Sequence, residues 1–201
     1  DLIHWTKFGP AFLDADGGKY AGLKYKSAGI VTQLKGDRLI VVRINGKYRM
    51  YWGEGEIHLA TSADLIHWTP VEDKDGAPLV VLSKRRGRFD SSFPEVGPPP
   101  LLTERGIVVM NNGKNDPEHG DAELGPNAYA TGQALFAADN PAKLLARADK
   151  PFLKPEMPFE KTGQYAAGTT FAEGLVAFKG KWFLYYGCAD SLVGVAIANI
   201  R

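Results

Sequence analysis

Three acidic residues in this 201-residue chain stand at the same point of a repeated phrase. Glu56, Asp116 and Asp190 each lie three positions past a glycine (Gly53, Gly113, Gly187), which lies seven positions past another (Gly46, Gly106, Gly180). Glu95 in FPEVGPPP and Glu173 in TFAEGLV are set in apolar, strand-forming sequence, where a charge that is merely solvated is out of place. Lys26 and Ser27 precede a third apolar run, AGIV, and the rings of Trp52, Tyr185 and Tyr186 adjoin the second glycines. Gathered at one mouth, five carboxylates, a lysine and aromatic faces suit cleavage of a glycosidic bond. That chemistry needs a proton donor for the leaving oxygen, an anion to handle the nucleophile and platforms for sugar faces. Asp116, in the polar run KNDPEHGD, has an ordinary solvated reading as well.

What must position these residues is a repeat. INGKYRMYWGEGEIHLATS, ERGIVVMNNGKND and FKGKWFLYYGCADSLVGVAIA align on the paired glycines, whose first members stand 60 and 74 residues apart. An apolar run precedes each unit (AGIV and RLIVV, PPPLL, EGLVAF), and another follows it (IHLATS, GQALFA, VGVAIA). Each unit reads as an antiparallel meander joined by tight glycine turns. Several strands per unit at such a period predict an all-β fold of β-propeller blades. In a blade the start of the innermost strand and the loop after the second strand share one end of the channel, which places the acids together. An ordinary β-sandwich is the competing fold, but it gives no reason for the threefold spacing.

The hexapeptide DLIHWT occurs at 1–6 and again at 64–69. The second copy follows the third strand of the first unit, so the first copy is expected to be the outer edge of a preceding blade. The expected organisation is one partial propeller: 1–20 the edge of a preceding blade, then blades at 21–83, 84–160 and 161–201. About three blades are present in a fold that has about four to eight, so the ring is expected to be completed by upstream sequence or by self-association with another chain.

Several functions are disfavoured by composition. Net charge is +1, so no broad basic field points to nucleic acid or an anionic membrane. One cysteine excludes an internal disulfide, and no Cys/His spacing suggests a metal site; no metal or other cofactor is expected. No apolar run approaches the ~18 residues of a membrane span, and no signal-peptide pattern opens the chain, which favours a cytoplasmic location.

YWGEGEIHLATSADLIHWTPV, EVGPPPLLTERGIVV, GQALFAADNPAKLLARADKPFLKPE and YYGCADSLVGVAIA resemble glycoside hydrolase family 130, the β-mannoside phosphorylases and β-mannosidases. The resemblance runs over nearly the whole chain. It implies a five-bladed propeller that acts on β-linked mannosides with inversion at the anomeric carbon. It also implies that Lys26, Glu95 and Asp190 surround the sugar, with Glu173 in the same pocket and a catalytic aspartate upstream of Asp1. Ser27, Asn112, Tyr186 and Trp52 complete the expected substrate-binding set, and Glu95 and Glu173 are the candidate catalytic groups within the chain. The phosphorylases of the family carry a phosphate-binding histidine in a YHG stretch, where this chain reads NNG at 111–113. An amide supplies no positive charge, so hydrolysis of an oligosaccharide is expected over phosphorolysis. The alternatives are a β-mannoside phosphorylase and a non-catalytic propeller that binds carbohydrate or protein.

Overall fold

The computed structural model describes residues 1–24 and 26–200. It is all-β: the described residues form three sheets, antiparallel but for one parallel pairing in the second, and their helical content is two 3₁₀ turns, Ala15–Gly18 and Pro158–Glu160. No helix among them is long and apolar enough to cross a membrane.

The first sheet is built around strands Lys47–Trp52 and Ile57–Ser62, flanked inside by Ala28–Ile30 and outside by Trp68–Pro70. The second is built around Gly106–Lys114 and Tyr129–Phe136, with Phe93–Val96 and Leu101–Thr103 inside and Leu144–Arg147 outside. The third is the meander Thr170–Phe178, Lys181–Cys188 and Leu192–Asn199. The paired-glycine segments of the three expected units thus lie in three successive sheets, and the strands predicted across 106–113 and 181–187 are strands.

Two local differences follow from backbone geometry. The apolar runs before Gly46 do not form one inner strand. Residues 31–42 leave the first sheet as a hairpin, Thr32–Lys35 with Arg38–Val41, and pair in parallel with Leu101–Thr103 of the second sheet. The chain then returns to pair Arg43–Ile44 with Lys47–Tyr48. Gly106, moreover, is not a turn residue. The pairs Asn45–Gly46 and Lys179–Gly180 are two-residue turns with both φ positive, the primed geometry that matches strand twist. In the second sheet the turn is Glu104–Arg105, and Gly106 opens the strand opposite Thr103. Its φ is 133°, and a Cβ there would lie 2.3 Å from the Phe136 carbonyl oxygen, so close backbone approach demands glycine.

The repeated hexapeptide encodes a turn, reproduced bond for bond. In the second copy Asp64 Oδ1 accepts the N–H groups of Ile66 and His67 at 2.9 Å each, His67 Nδ1 lies 2.8 Å from Asp64 Oδ2, and Trp68 Nε1 donates to Leu65 O at 3.1 Å. In the first, Asp1 Oδ1 accepts from Ile3 and His4 at 3.0 and 2.9 Å, His4 Nδ1 lies 2.8 Å from Asp1 Oδ2, and Trp5 Nε1 donates to Leu2 O at 3.1 Å. Surroundings differ. Trp68 continues into an edge strand and is 5% exposed among Met50, Trp52 and Ala60. Trp5 is 73% exposed, and no strand is assigned among the described residues of 1–27.

Alternation along the central strands sends Tyr51, Ile57, Leu59, Val109 and Phe136 into one core between the first two sheets. The Tyr51 hydroxyl is satisfied by Pro141 O at 2.7 Å, and its ring lies 5.0 Å from Phe136. At the rim of that core, buried Asp90 holds Arg85 (Nη2 at 2.9 Å) and Arg147 (Nη2 at 2.6 Å), which fastens the link between the first two sheets to the outer strand Leu144–Arg147.

Candidate functional site

The site forms where the inner strand Phe93–Val96 meets its neighbours on both sides. From the first sheet, the segment after Trp52 turns at Gly53, whose N–H donates to Ser27 O at 2.8 Å. A φ of 121° and a would-be Cβ only 2.2 Å from Glu56 O leave that position to glycine. The segment then bridges to the second sheet: Gly55 N–H donates to Pro94 O at 3.1 Å, and Val96 N–H to Gly53 O at 3.4 Å. This register sets Glu54 directly opposite Glu95. Like charges in such a pair repel, so structural stability alone does not favour the arrangement.

Glu95 is 4% exposed. Burial pushes its carboxyl above the ordinary range and the Glu54 charge pushes it further; Lys26 and the neighbouring Ser27 hydroxyl oppose this, and Glu173 adds to the rise. Lys26 Nζ stands 3.5 Å from Glu54 Oε1, and Ser27 Oγ donates to Val96 O at 2.8 Å. A cavity of about 340 Å³ opens here, lined by Lys26, Ser27, Glu95, Gly97, Phe171 and Glu173. Glu173 reaches it through a register shift between Ala172 and Gly174; a bulge of this kind re-aims a side chain that regular alternation would send elsewhere.

An aromatic wall continues from the cavity. The Tyr129 ring lies 5.5 Å from Tyr165, 5.9 Å from Phe171 and 6.1 Å from Phe93, and Lys114 Nζ stands 5.8 Å from the Tyr129 centroid. Burial above all pushes the Tyr129 phenol up to about 12, followed by Tyr165, Glu95, Glu54 and Asp190. Tyr129 thus feels both the Glu54–Glu95 pair and Asp190. Asp190 is exposed on the turn after Cys188, where it and Ala189 take positive φ of 51° and 49°. Its charge also helps raise Tyr165, after burial.

Of the residues singled out in the sequence, Lys26, Ser27, Glu95 and Glu173 line the cavity, and Asp190 stands beyond Tyr129. The others lie elsewhere. Trp52 is 1% exposed, its ring 4.7 Å from both His58 and Phe12; it offers no open face to a sugar, although it backs a smaller cavity of about 200 Å³ that also reaches Lys26. Tyr186 is buried with its hydroxyl donating to Glu160 Oε1 at 2.8 Å. Asn112 is fully buried, with its amide on the backbone of Ala172. Among the other acids, Glu56 is exposed off the cavity, and Asp116 Oδ1 accepts the backbone N–H groups of His119 and Glu118, which lower its pKa.

Sequence reasoning missed Glu54, Phe93, Tyr129, Lys114, Tyr165 and Phe171. The repeat directed attention three residues past the second glycine, whereas pairing across the sheets selects the residue immediately past Gly53. Strand alternation held a signal for Phe93, two residues before Glu95 and on the same face.

Three consecutive sheets, with a carboxylate-lined cavity and an aromatic wall where their inner strands converge, define an all-β protein whose acids and rings gather at one junction. The family model for glycoside hydrolase family 130, described as beta-1,4-mannooligosaccharide phosphorylase, matches residues 1–201, and the chain belongs to that family. It is 31% identical over 160 residues to the 1,2-beta-oligomannan phosphorylase of Thermoanaerobacter sp. (strain X514), covering 79% of this chain and 48% of that protein. A glycosyl hydrolase from Bacteroides ovatus superposes with a TM-score of 0.95 at 50% identity, covering 99% of this chain and 55% of that one. A further structure matches with a TM-score of 0.96 at 49% identity over 99% of this chain and 55% of that one; it belongs to work on GH130 glycoside hydrolases that target beta-1,2 mannosidic linkages in Candida mannan. The chain spans about half the length of the curated relatives it matches.

Proposed function

We propose that the intact protein hydrolyses β-mannosides, β-1,2-linked ones foremost, by an inverting mechanism. The observation that carries this reading is the charge at the cavity: Glu95 and Glu173 line it with Glu54 beside them, the lysine that lines it, Lys26, is already paired with Glu54, and the next cation, Lys114, stands out on the aromatic wall. A phosphate dianion entering such a site meets repulsion and needs cationic donors, whereas water does not. Arg43 and Arg147, the other cations considered in the sequence, are committed elsewhere: Arg43 Nη2 donates to Ala63 O at 2.9 Å, and Arg147 binds Asp90 and Ser83 O. The higher identity to proteins described as hydrolases than to named phosphorylases lends further support.

Glu95 acts as the base that takes the proton of the attacking water, while the aspartate expected upstream of Asp1 gives a proton to the leaving oxygen as the glycosidic bond breaks; the raised pKa of Glu95 strengthens it as an acceptor near neutral pH. Glu54 and Lys26 set that pKa from opposite sides. Glu173 and Asp190 accept sugar hydroxyls, and Tyr129, Phe171 and Phe93 supply faces for the ring. The three sheets are built on consecutive blades of a five-bladed propeller, at 21–83, 84–160 and 161–201, the hairpin 32–41 of the first crossing to the second, with 1–20 as the edge of a preceding blade. The exposure of Trp5, whose counterpart Trp68 is buried, supports that edge assignment.

The test incubates the intact protein with β-1,2- and β-1,4-manno-oligosaccharides, with and without phosphate, and follows product anomer and identity. Free α-mannose, formed at a rate indifferent to phosphate, is expected. Mannose 1-phosphate in its place would transfer the site to phosphorolysis.

A further inference from the structure

We propose that Asn112 is a positioning residue: its side-chain amide clamps the backbone of Ala172 and so fixes Glu173 against Glu95 across the junction of the second and third sheets. The proposal rests on the cavity being the mannoside site. Asn112 is fully buried. Its Nδ2 donates to Ala172 O at 2.9 Å, and its Oδ1 accepts Ala172 N–H at 2.8 Å. Oδ1 also accepts the Thr131 hydroxyl at 2.8 Å, and that hydroxyl lies 3.2 Å from Thr170 O. The amide thus does for Ala172 what a neighbouring strand would do, giving one donor and one acceptor to one residue.

Both ends of the clamp are tied to the cavity. In the backbone register Asn112 is the direct partner of Glu95 on one side and of Thr131 on the other. Ala172 is the last regularly paired residue before the bulge that carries Glu173. Gly97 makes room: a Cβ there would stand 3.1 Å from Met110 O, 3.2 Å from Ala172 O and 3.5 Å from Asn112 Nδ2. Aspartate has the shape but lacks the donor, so it would set a carboxylate against the Ala172 carbonyl. Alanine removes both bonds.

A displacement of about 1 Å at a substrate-positioning group costs about 10²-fold in rate, so Asn112→Ala is expected to lower kcat/KM per folded molecule about 10–100-fold. The discriminating measurement is the cycle with Glu173→Gln. If Asn112 acts through Glu173, the double variant falls no further than the weaker single variant; losses that multiply overturn the proposal. Asn112→Asp adds a pH signature. Protonation of the new carboxyl restores a donor, so its activity relative to wild type should climb as pH falls, and a flat ratio counts against the clamp. Should Asn112→Ala fail to fold, Thr131→Val removes only the supporting hydroxyl; a loss of about 3–10-fold is expected, with the same non-additivity, and full activity refutes the proposal. Amide exchange at Ala172 separates this claim from the functional reading. Intact protein inactive on every mannoside sinks the proposed function, while exchange at Ala172 unchanged by Asn112→Ala sinks the clamp.

Discussion

Replacing Glu95 by glutamine should abolish turnover and stabilise the protein. In the native chain Glu95 is 4% exposed, faces Glu54 in strand register and has its carboxyl raised by burial and by that neighbour. A carboxyl whose folded-state pKa lies above its unfolded one binds protons more tightly when folded. Its contribution is therefore whole below the ordinary value of 4.5 and is lost as pH rises through the folded value. Like charges opposed on paired strands cost ~0.2–1 kcal/mol; removing the burial penalty adds to this, and losing the Lys26 attraction subtracts. Glu95→Gln, neutral at every pH, should be more stable than wild type by about 1 kcal/mol at pH 7, a rise of at most ~2–4 °C in Tm. At pH 4 the gain should vanish. Loss of the base should lower kcat ~10²–10⁴-fold. Thermal unfolding at both pH values, with mannoside hydrolysis at pH 7, checks all three statements. A variant less stable than wild type at pH 7, equally shifted at pH 4, or still active would refute the assignment of Glu95 as a strained buried base.

The remaining predictions concern charge and packing. Lys26→Met removes the cation that holds Glu95 down, so the acidic limb of the pH–rate profile should move to higher pH; because the Lys26 side chain is 71% exposed, the displacement should shrink in 1 M salt. Gly132→Ala places a Cβ 2.1 Å from the Phe89 ring, and should cost ~1–3 kcal/mol in urea denaturation; unchanged stability would show that Phe89 has room to move.

Local interactions were legible in the sequence, because their partners lie within a few residues. The recurrence of DLIHWT was legible, but as a blade's outer edge; that both copies form an aspartate-capped turn is local too, since every hydrogen bond in it joins residues two or three apart. The Asn45–Gly46 and Lys179–Gly180 hairpins, the three meanders and the inward placing of Glu95 were readable for the same reason. So was the family, through extended motifs. Tertiary structure alone decided which acids meet. Glu54 rather than Glu56 faces Glu95, because hydrogen bonds between sheets set the register across the junction. Trp52 went to the core and Tyr129 to the wall because alternation says that neighbouring side chains part, without saying which face the next sheet will cover. Asn112 shows the same division: its sequence neighbours place it opposite Glu95 once the strands pair, but its buried amide finds a donor and an acceptor on Ala172, sixty residues on, brought there by the packing of the third sheet against the second.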